Sequence, residues 1–212
     1  MSINTSMNKG FKVVIMGQTN VGKTSLIKSL IYKDDKFNIH EPSTIGAAYY
    51  CKKIQNNASP ESYIKVDFWD TAGQERYNSM LKLYYRNADI VILVFDFETF
   101  DESFSKCNML LKEVSEENQK TKFILVGNKT DLIKKTKFDE LDIIIKNFKS
   151  KYDSIIEYIP SSVLEHKNID NINKVINEYV NKTTKNNTTN DIVNTNPDYS
   201  WYFTNAKLFT YC

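Results

Sequence analysis

The sequence lacks the features of a cross-linked, secreted or membrane-spanning chain. It has only three cysteines, which lie far apart at Cys51, Cys107 and Cys212. An odd number of widely spaced cysteines argues against a disulfide framework or a zinc site and favours a reducing compartment. No apolar run approaches the roughly 20 residues that a transmembrane helix needs. The N-terminus has no signal-peptide core, and Ser2 replaces the glycine that myristoylation requires. We therefore expect a soluble, cytoplasmic protein.

A strong charge of one sign is also missing. The 212 residues carry a formal net charge of +2, which provides no basic field for binding nucleic acid. Arginine is scarce, with only Arg76 and Arg86 present. The length suits one compact domain with a substantial core and is short for two. We therefore expect a single-domain monomer without a nucleic-acid partner.

Short apolar runs alternate with helical patterns along the chain. Strands are predicted at residues 13–16, 49–54, 63–69, 90–95, 123–126 and 155–159, and helices at 24–32, 81–86, 101–118, 138–151 and 168–182. The pattern predicts a doubly wound α/β domain: a six-stranded, mainly parallel sheet with helices on both faces and one antiparallel edge strand. We expect a flexible arm over residues 1–9, the domain over 10–182 and a disordered, Asn/Thr/Lys-rich tail over 183–212.

A candidate phosphate-binding loop follows the first strand. Residues 17–24 read G-Q-T-N-V-G-K-T, and the glycines allow backbone N–H groups to turn toward an anion at a helix N-terminus. Lys23 would reach the β- and γ-phosphates, and the Thr24 hydroxyl would face Mg²⁺. A plain glycine turn is the alternative, which the flanking strand and helix disfavour. The candidate nucleotide-binding residues here are Gly17, Gln18, Thr19, Asn20, Val21, Gly22, Lys23, Thr24 and Ser25.

A second candidate element, W-D-T-A-G-Q-E, begins at Trp69, where another predicted strand ends. Asp70 can hold Mg²⁺ through its water shell. Gly73 can bring a backbone N–H to the γ-phosphate, and Gln74 can orient the attacking water. The alternative interpretation of Asp70 is a strand-ending turn residue, which the phosphate loop upstream disfavours.

The third element, V-G-N-K-T-D at residues 126–131, indicates which nucleotide base is bound. The Asp131 carboxylate can accept hydrogen bonds from guanine N1–H and the exocyclic amine, whereas adenine offers no matching pair of donors. Asn128 would brace the loops, and the aliphatic stem of Lys129 would cover one face of the base. Alone this pattern is a weak polar turn. As the third motif in this order it favours a guanine nucleotide.

Together the three motifs resemble the small Ras-like GTPases, and the run W-D-T-A-G-Q-E-R-Y is similar to the Rab family in particular. The resemblance covers about residues 11–181. Residues 41–48, E-P-S-T-I-G-A-A, are similar to the first switch of the early-endosomal Rab branch. The resemblance implies a GTP/GDP switch with Mg²⁺ that regulates vesicular traffic on the cytosolic face of endosomal membranes.

The resemblance also assigns roles to single residues. It places the Thr44 hydroxyl on Mg²⁺ and its N–H on the γ-phosphate, and it places Phe37 against the guanine, with ordinary packing as the alternative for Phe37. The expected surface for effectors comprises Ile45, Tyr49, Trp69 and Tyr84. Core packing is the alternative for these aromatic residues, and it is most serious for Trp69.

Several positions depart from the family pattern. The fifth motif usually ends in Ser-Ala-Lys, but here it reads Ser162, Val163 and Leu164 after Ser161. We expect the Val163 N–H to contact the base, Leu164 to pack on it through carbon, and guanine binding to be retained. The segment from Lys23 to Phe37 and the turn around Asn56 are longer than usual, which the fold should tolerate. Thr19 and Asn20 replace smaller loop residues and could crowd the γ-phosphate.

The expected reaction is phosphoryl transfer from GTP to water, with Gln74, Lys23 and Thr44 as the catalytic residues. Turnover should be slow, since neither Arg76 nor Arg86 is an obvious arginine finger. The expected partners are an exchange factor, a GTPase-activating protein, a dissociation inhibitor and effectors. A GTP-binding module with little hydrolysis is the main alternative. The N-K-x-D motif argues against a P-loop ATPase or kinase, and the lack of an acidic tail argues against a nuclear-transport role.

The C-terminus departs from the pattern that Rabs commonly use for membrane attachment. Rabs commonly end in paired, geranylgeranylated cysteines, whereas this sequence ends in Cys212 alone and also departs from the C-a-a-X pattern. A single lipid anchors weakly, and Lys182 and Lys185 do not form a polybasic second signal. Three explanations stay open: an unconventional lipid on Cys212, a native chain that continues further, or help from the aromatic tail.

Overall fold

The computed structural model describes residues 10–32, 44, 46–73 and 78–187. Within them the chain alternates strands and helices, as the apolar periodicity predicts. The strands are β1 (Phe11–Gly17), β2 (Ala47–Gln55), β3 (Tyr63–Thr71), β4 (Ile90–Asp96), β5 (Lys122–Asn128) and β6 (Ile155–Pro160). The helices are α1 (Lys23–Ile31), α2 (Asn78–Tyr85), α3 (Phe100–Glu117), α4 (Lys135–Lys149) and α5 (Ile169–Asn187).

The strands form one six-stranded sheet in the order β2-β3-β1-β4-β5-β6. All neighbouring strands pair in parallel except β2 and β3, which form the antiparallel edge. The predicted fold class, a mainly parallel α/β domain with one antiparallel edge strand, is therefore confirmed. Because β1 and β3 to β6 run the same way, the loops after their carboxyl ends collect along one edge of the sheet.

Successive side chains along the strands pack alternately into two separate cores, one on each face of the sheet. Val14 and Met16 of β1 pack into a core shared with α2, α3 and α4, whereas Val13 and Ile15 pack into a core shared with α1 and α5. This period of two is the geometry of a pleated strand that is covered on both faces. All seven residues of β4 are buried, as expected for a central parallel strand.

The C-terminal helix is longer than the sequence pattern predicted. Helix α5 continues to Asn187, so the tail that we expected to begin at residue 183 is helical over its first part. In this extension Thr183 Oγ1 and Thr184 Oγ1 donate to the carbonyls of Tyr179 and Val180 at 2.9 and 2.8 Å. Each of these bonds joins residues four positions apart, which is the spacing of one helical turn. Residues 183–187 are all polar, so the spacing of apolar residues does not predict this part of the helix.

The long β2–β3 turn is fastened to the same helix. The Asn57 N–H donates to Asn181 Oδ1 at 2.7 Å, and Asn181 Nδ2 donates to the Gln55 carbonyl at 3.3 Å. The longer turn thus leaves the sheet intact, as expected. No helix within residues 10–32 and 78–187 has both the length and the apolarity to cross a membrane.

Candidate functional site

The loops after β1, β3, β5 and β6 meet at the carboxyl edge of the sheet. The loop after β1 is shaped by left-handed backbone at Asn20 (φ 66°) and Gly22 (φ 92°). A Cβ on Gly22 would lie 2.5 Å from Asn128 Nδ2, so a side chain there would separate this loop from the one after β5. Helix α1 begins at the next residue, Lys23. The loop therefore presents backbone N–H groups and a helix N-terminus, the arrangement that binds phosphate.

The ammonium group of Lys23 lies inside this loop. The residue is 6% exposed, and Nζ donates to the Gln18 carbonyl at 2.7 Å. Burial lowers the pKa of Lys23 to about 8, and the nearby Asp70 carboxylate partly opposes that shift. A phosphate group beside Nζ would favour the charged form further, because an anion stabilises a buried cation.

Gly73, two residues after the end of β3, lies against the same lysine. A Cβ at Gly73 would overlap Lys23 Nζ and lie 2.7 Å from the backbone nitrogen of Thr19. Only a residue without a side chain fits there unless the loop moves. The structure thus brings Lys23, Thr19 and Gly73 together from two separate motifs.

Three oxygen-bearing side chains converge beside this lysine. Thr24 Oγ1 donates to Asp70 Oδ2 at 2.7 Å, and Thr44 Oγ1 lies 2.9 Å from Thr24 Oγ1 and 3.2 Å from the same carboxylate oxygen. Asp70 is fully buried. Hydroxyl and carboxylate oxygens are the ligands that Mg²⁺ prefers, so this donor set fits that ion.

The loop after β5 is braced against the phosphate loop and the loop after β6. Asn128 is 3% exposed, its Nδ2 donates to the Val21 carbonyl at 2.9 Å, and its Oδ1 accepts from the Val163 N–H at 3.2 Å. The Val163 N–H, which we expected to contact the base, is therefore engaged by Asn128 in this structure. Asn128 joins three loops, as the sequence predicts for a bracing residue.

The carboxylate that would read the base is oriented by a serine. The Ser162 hydroxyl donates to Asp131 Oδ1, and it accepts from the Glu165 N–H at 3.1 Å. The neighbouring Leu164 is 53% exposed, which leaves its side chain available to cover a flat ligand. The structure therefore offers an oriented acceptor at Asp131 and an exposed apolar side chain in the loop after β6.

The sequence profile of the Ras family matches residues 12–184, which is most of the chain. The chain belongs to the Ras family. Membership implies a small GTPase that binds GTP and GDP and hydrolyses GTP, and that works with regulators and effectors.

Three curated relatives carry Rab names. Ras-related protein RabC of Dictyostelium discoideum is 32% identical over 67% of this chain and 72% of its own length. Ras-related protein RABF2a of Arabidopsis thaliana is 36% identical over 68% of this chain and 70% of its own length. Ras-related protein Rab-17 of Homo sapiens is 40% identical over 60% of this chain and 58% of its own length. The predicted Rab-family assignment is confirmed.

The aromatic residues assigned to the effector surface of this Ras-family protein form one cluster. The Trp69 ring lies 5.3 Å from the Tyr49 ring and 6.1 Å from the Tyr84 ring, measured between centroids. Trp69 and Tyr84 are 6% and 7% exposed, so much of each ring is packed in the core beneath β2 and α2. Tyr49 Oη donates to Asp67 Oδ1 at 2.6 Å, and its half-buried ring presents the most open part of the cluster.

Some of the predicted site residues lie outside the described residues, and the structure therefore does not place them. They are Phe37, Ile45, Gln74 and Cys212.

Sequence reasoning missed two charged residues near the predicted sites. Lys12 on β1 is 2% exposed, and its Nζ donates to the Arg86 carbonyl at 2.9 Å while lying 5.4 Å from the centroid of the Trp69 ring. Asp96, also 2% exposed, ends β4 beside Lys129. Asp96 did carry a signal, since an acid at the end of a buried strand with Thr99 three residues later is typical of a side-chain-capped turn.

Proposed function

We propose that the chain is a Rab-type switch that regulates vesicular traffic on the cytosolic face of endosomal membranes. The observation that supports the switch is the contact of Thr44 with Thr24 and Asp70. Thr44 comes from the segment before β2, whereas the other two residues belong to α1 and β3. A metal and a γ-phosphate held at this point would tie that segment to the nucleotide, and loss of the γ-phosphate would release it.

The side chains of Thr24 and Thr44, with Asp70 acting through water, would hold Mg²⁺. Bound there, Mg²⁺ would neutralise charge on the β- and γ-phosphates. Lys23 would add a buried positive charge beside the same phosphates, and the Gly73 N–H would bind the γ-phosphate. No strong base is available among these groups, so Gln74 would act by orienting water, and catalysis would depend on positioning and electrostatics.

The base would lie between the loops after β5 and β6. Asp131 would accept from guanine N1–H and the exocyclic amine, while the Lys129 stem and Leu164 would cover the ring. The hydrogen bond from Ser162 supports this role because it fixes the carboxylate in one orientation. We assign Phe37 to a further contact with the guanine.

The effector surface would comprise Ile45, Tyr49, Trp69 and Tyr84. We propose an exchange factor, a GTPase-activating protein, a dissociation inhibitor and tethering effectors as partners. The endosomal role rests on the similarity of residues 41–48 to early-endosomal Rabs. Attachment to the membrane would use a lipid on Cys212, and mass spectrometry of the native C-terminus tests that assignment.

Single-turnover hydrolysis by the purified full chain tests the proposed chemistry. Loaded with GTP, the protein should release phosphate at about 10⁻⁴ to 10⁻³ per second, as expected for a GTPase without an arginine finger. Removal of Mg²⁺ by a chelator should both stop hydrolysis and accelerate nucleotide release. A rate near one per second would contradict slow intrinsic turnover, and unchanged nucleotide release in chelator would contradict the metal assignment.

A GTPase-activating protein active on Rabs separates the switch from a module that merely binds GTP. Acceleration by about 10³-fold or more supports the switch. Tight binding with no phosphate release, with or without the activating protein, would favour the binding module. Competition of labelled GTP by unlabelled ATP checks the base, and we expect ATP to compete far less well than GTP.

A further inference from the structure

Asp96 is a buried carboxylate at the edge of the proposed guanine site. It ends β4, directly beside Asn128 in the β4–β5 register. One carboxylate oxygen, Oδ2, lies 2.9 Å from Lys129 Nζ, and the Asp96 side chain is 2% exposed against 25% for Lys129. The ion pair therefore joins the lysine of the guanine motif to a residue outside all of the motifs.

The carboxylate of Asp96 is held from its other side. Oδ1 accepts from the Thr99 N–H at 2.6 Å and from Thr99 Oγ1 at 2.9 Å. Ser103 Oγ lies 3.2 Å from both the nitrogen and the carbonyl oxygen of Asp96. With its side chain and backbone bound to the start of α3, Asp96 offers Lys129 a fixed anchor.

Lys129 is constrained at both ends. Its backbone is left-handed, with φ 62°, and its ammonium group is paired with Asp96. A free lysine side chain samples many rotamers, and fixing it on binding a ligand costs about 0.5–1.5 kcal/mol. An ion pair that exists before the ligand arrives removes part of that cost.

We propose that Asp96 is a positioning residue of the guanine site. It holds the Lys129 ammonium so that the aliphatic stem remains extended as one wall of the base slot. This inference rests on the proposed binding of guanine between Lys129 and Asp131. Asp96 touches no nucleotide atom in this proposal and acts through Lys129 alone.

The decisive variant is Asp96→Asn, measured by the dissociation rate of a ribose-labelled fluorescent GDP from the full chain. Asparagine keeps the shape and an oxygen acceptor for Thr99, but it removes the charge opposite Lys129. The rate should rise about twofold to tenfold, the factor that corresponds to 0.5–1.5 kcal/mol. An unchanged dissociation rate would overturn the proposal.

Two controls separate positioning from charge and from folding. Glu98→Gln removes a second carboxylate from the surroundings of Lys129, but that carboxylate is 3.7 Å away on a 59% exposed side chain, so the rate should stay within twofold of wild type. Thr99→Val weakens the support of Asp96 without removing the ion pair. It should lower the melting temperature with a smaller effect on the dissociation rate, and a rate increase equal to that of Asp96→Asn would contradict the role of the ion pair.

The nucleotide dependence provides a second readout. The lysine stem covers the face of the base, whereas the exocyclic amine is read at the edge by Asp131. Asp96→Asn should therefore raise the dissociation rates of GDP and of IDP, which lacks that amine, by the same factor. A change in the ratio of the two rates would overturn action through the Lys129 stem.

A double-mutant cycle makes the test independent of any single variant. Lys129→Met retains most of an apolar stem without the ammonium, so Asp96→Asn should add little to its effect on the GDP rate. Additive effects would overturn the proposal. If wild type itself failed to bind labelled GDP, the proposed function would fail instead, and this outcome is distinguishable because every variant is compared with a bound wild-type complex.

Discussion

The Thr24 hydroxyl donates to Asp70 Oδ2 at 2.7 Å, across 46 positions of sequence. Thr24 lies in the first turn of α1 and Asp70 near the end of β3. The parallel pairing of β1 with β3 brings them together, with Ile15 opposite Asp70 in the register. A contact between two motifs is thus a direct consequence of strand order.

Substitution Thr24→Val should weaken the dependence of nucleotide binding on Mg²⁺. It keeps the side-chain shape and removes one proposed oxygen ligand of Mg²⁺, and loss even of an outer-shell partner at a metal site typically costs about 10- to 100-fold in metal affinity. We expect GDP affinity at saturating Mg²⁺ to fall about ten- to a hundredfold, as measured from association and dissociation rates with and without chelator. Thr121→Val is the matched control, because it removes a buried hydroxyl that donates to the Ala88 carbonyl at 2.9 Å on another part of the sheet. It should reduce stability and leave the Mg²⁺ dependence unchanged.

Substitution Lys23→Met should remove a pH dependence from the stability of the nucleotide-free protein. Burial lowers the pKa of Lys23 to about 8 in the folded protein, from an ordinary value of 10.5, so the unfolded chain binds more protons between these pH values. Wild-type stability attributable to this residue therefore rises with pH from about 8 to 10.5. Between pH 10.5 and 8 the free energy of unfolding of wild type should therefore fall by about 3 kcal/mol relative to that of Lys23→Met.

Chemical denaturation of both proteins at several pH values measures that difference. Burial raises the pKa of the Cys107 thiol to about 12, which makes folding less favourable from about pH 9 upward in both proteins. The Lys23 charge itself lowers the Cys107 pKa, so this contribution differs between the variants above about pH 9 and cancels only below that pH. A difference between the two proteins that is constant from pH 7 to 9 would contradict a lowered lysine pKa.

Substitution Asp131→Asn should change the preferred base from guanine to xanthine. The asparagine amide can donate to the C2 carbonyl of xanthine, at the position where guanine carries an amine. A site built for one donor pattern rejects the other strongly, because buried polar groups are left unpaired. Competition of labelled GDP and XDP against unlabelled nucleotides should show the preference reversed. Ser162→Ala, which removes the hydroxyl that orients Asp131, should weaken GDP binding without reversing the preference.

Substitution Asn181→Ala should destabilise the fold without changing nucleotide kinetics. It removes the side-chain bonds to the Asn57 N–H and the Gln55 carbonyl, and at about 0.5–1.5 kcal/mol for each hydrogen bond the loss should be about 1–3 kcal/mol. Urea unfolding should show a loss of this size, while the GDP dissociation rate stays at the wild-type value. The exposed neighbour Lys182→Ala is the control and should change neither quantity. A faster GDP dissociation rate in Asn181→Ala would show that the β2–β3 turn and the nucleotide site are coupled.

The fold was predictable because its signals are local. The apolar residues of β1 alternate between two cores, and the spacing of buried residues in α3, at Ser103, Cys107, Leu110, Leu111 and Val114, follows a helical period. Whether an element is a helix or a strand can therefore be predicted from a few neighbouring residues. The end of α5 was missed because residues 183–187 are all polar and continue no apolar period.

The site was predictable only where its residues belong to such local patterns. Lys23, Asp70 and Asp131 stand in motifs whose order and flanking strands carry information. The pattern around Asp96 indicates a capped turn but not its pairing with Lys129, since Asp96 is distant in sequence and becomes the neighbour of Lys129 only when β4 pairs with β5.

The fold class and the Ras-family assignment follow from the sequence, and the guanine-binding residues are predicted from it, because strand periodicity and short motifs are properties of neighbouring residues. How those residues are supported depends on long-range packing. It placed Asp96 against Lys129, Ser162 against Asp131 and the Asn57 backbone against Asn181. It also buried most of Trp69 and Tyr84. Such contacts join residues that are far apart in the chain, and the packing of the sheet and its helices determines which of them meet.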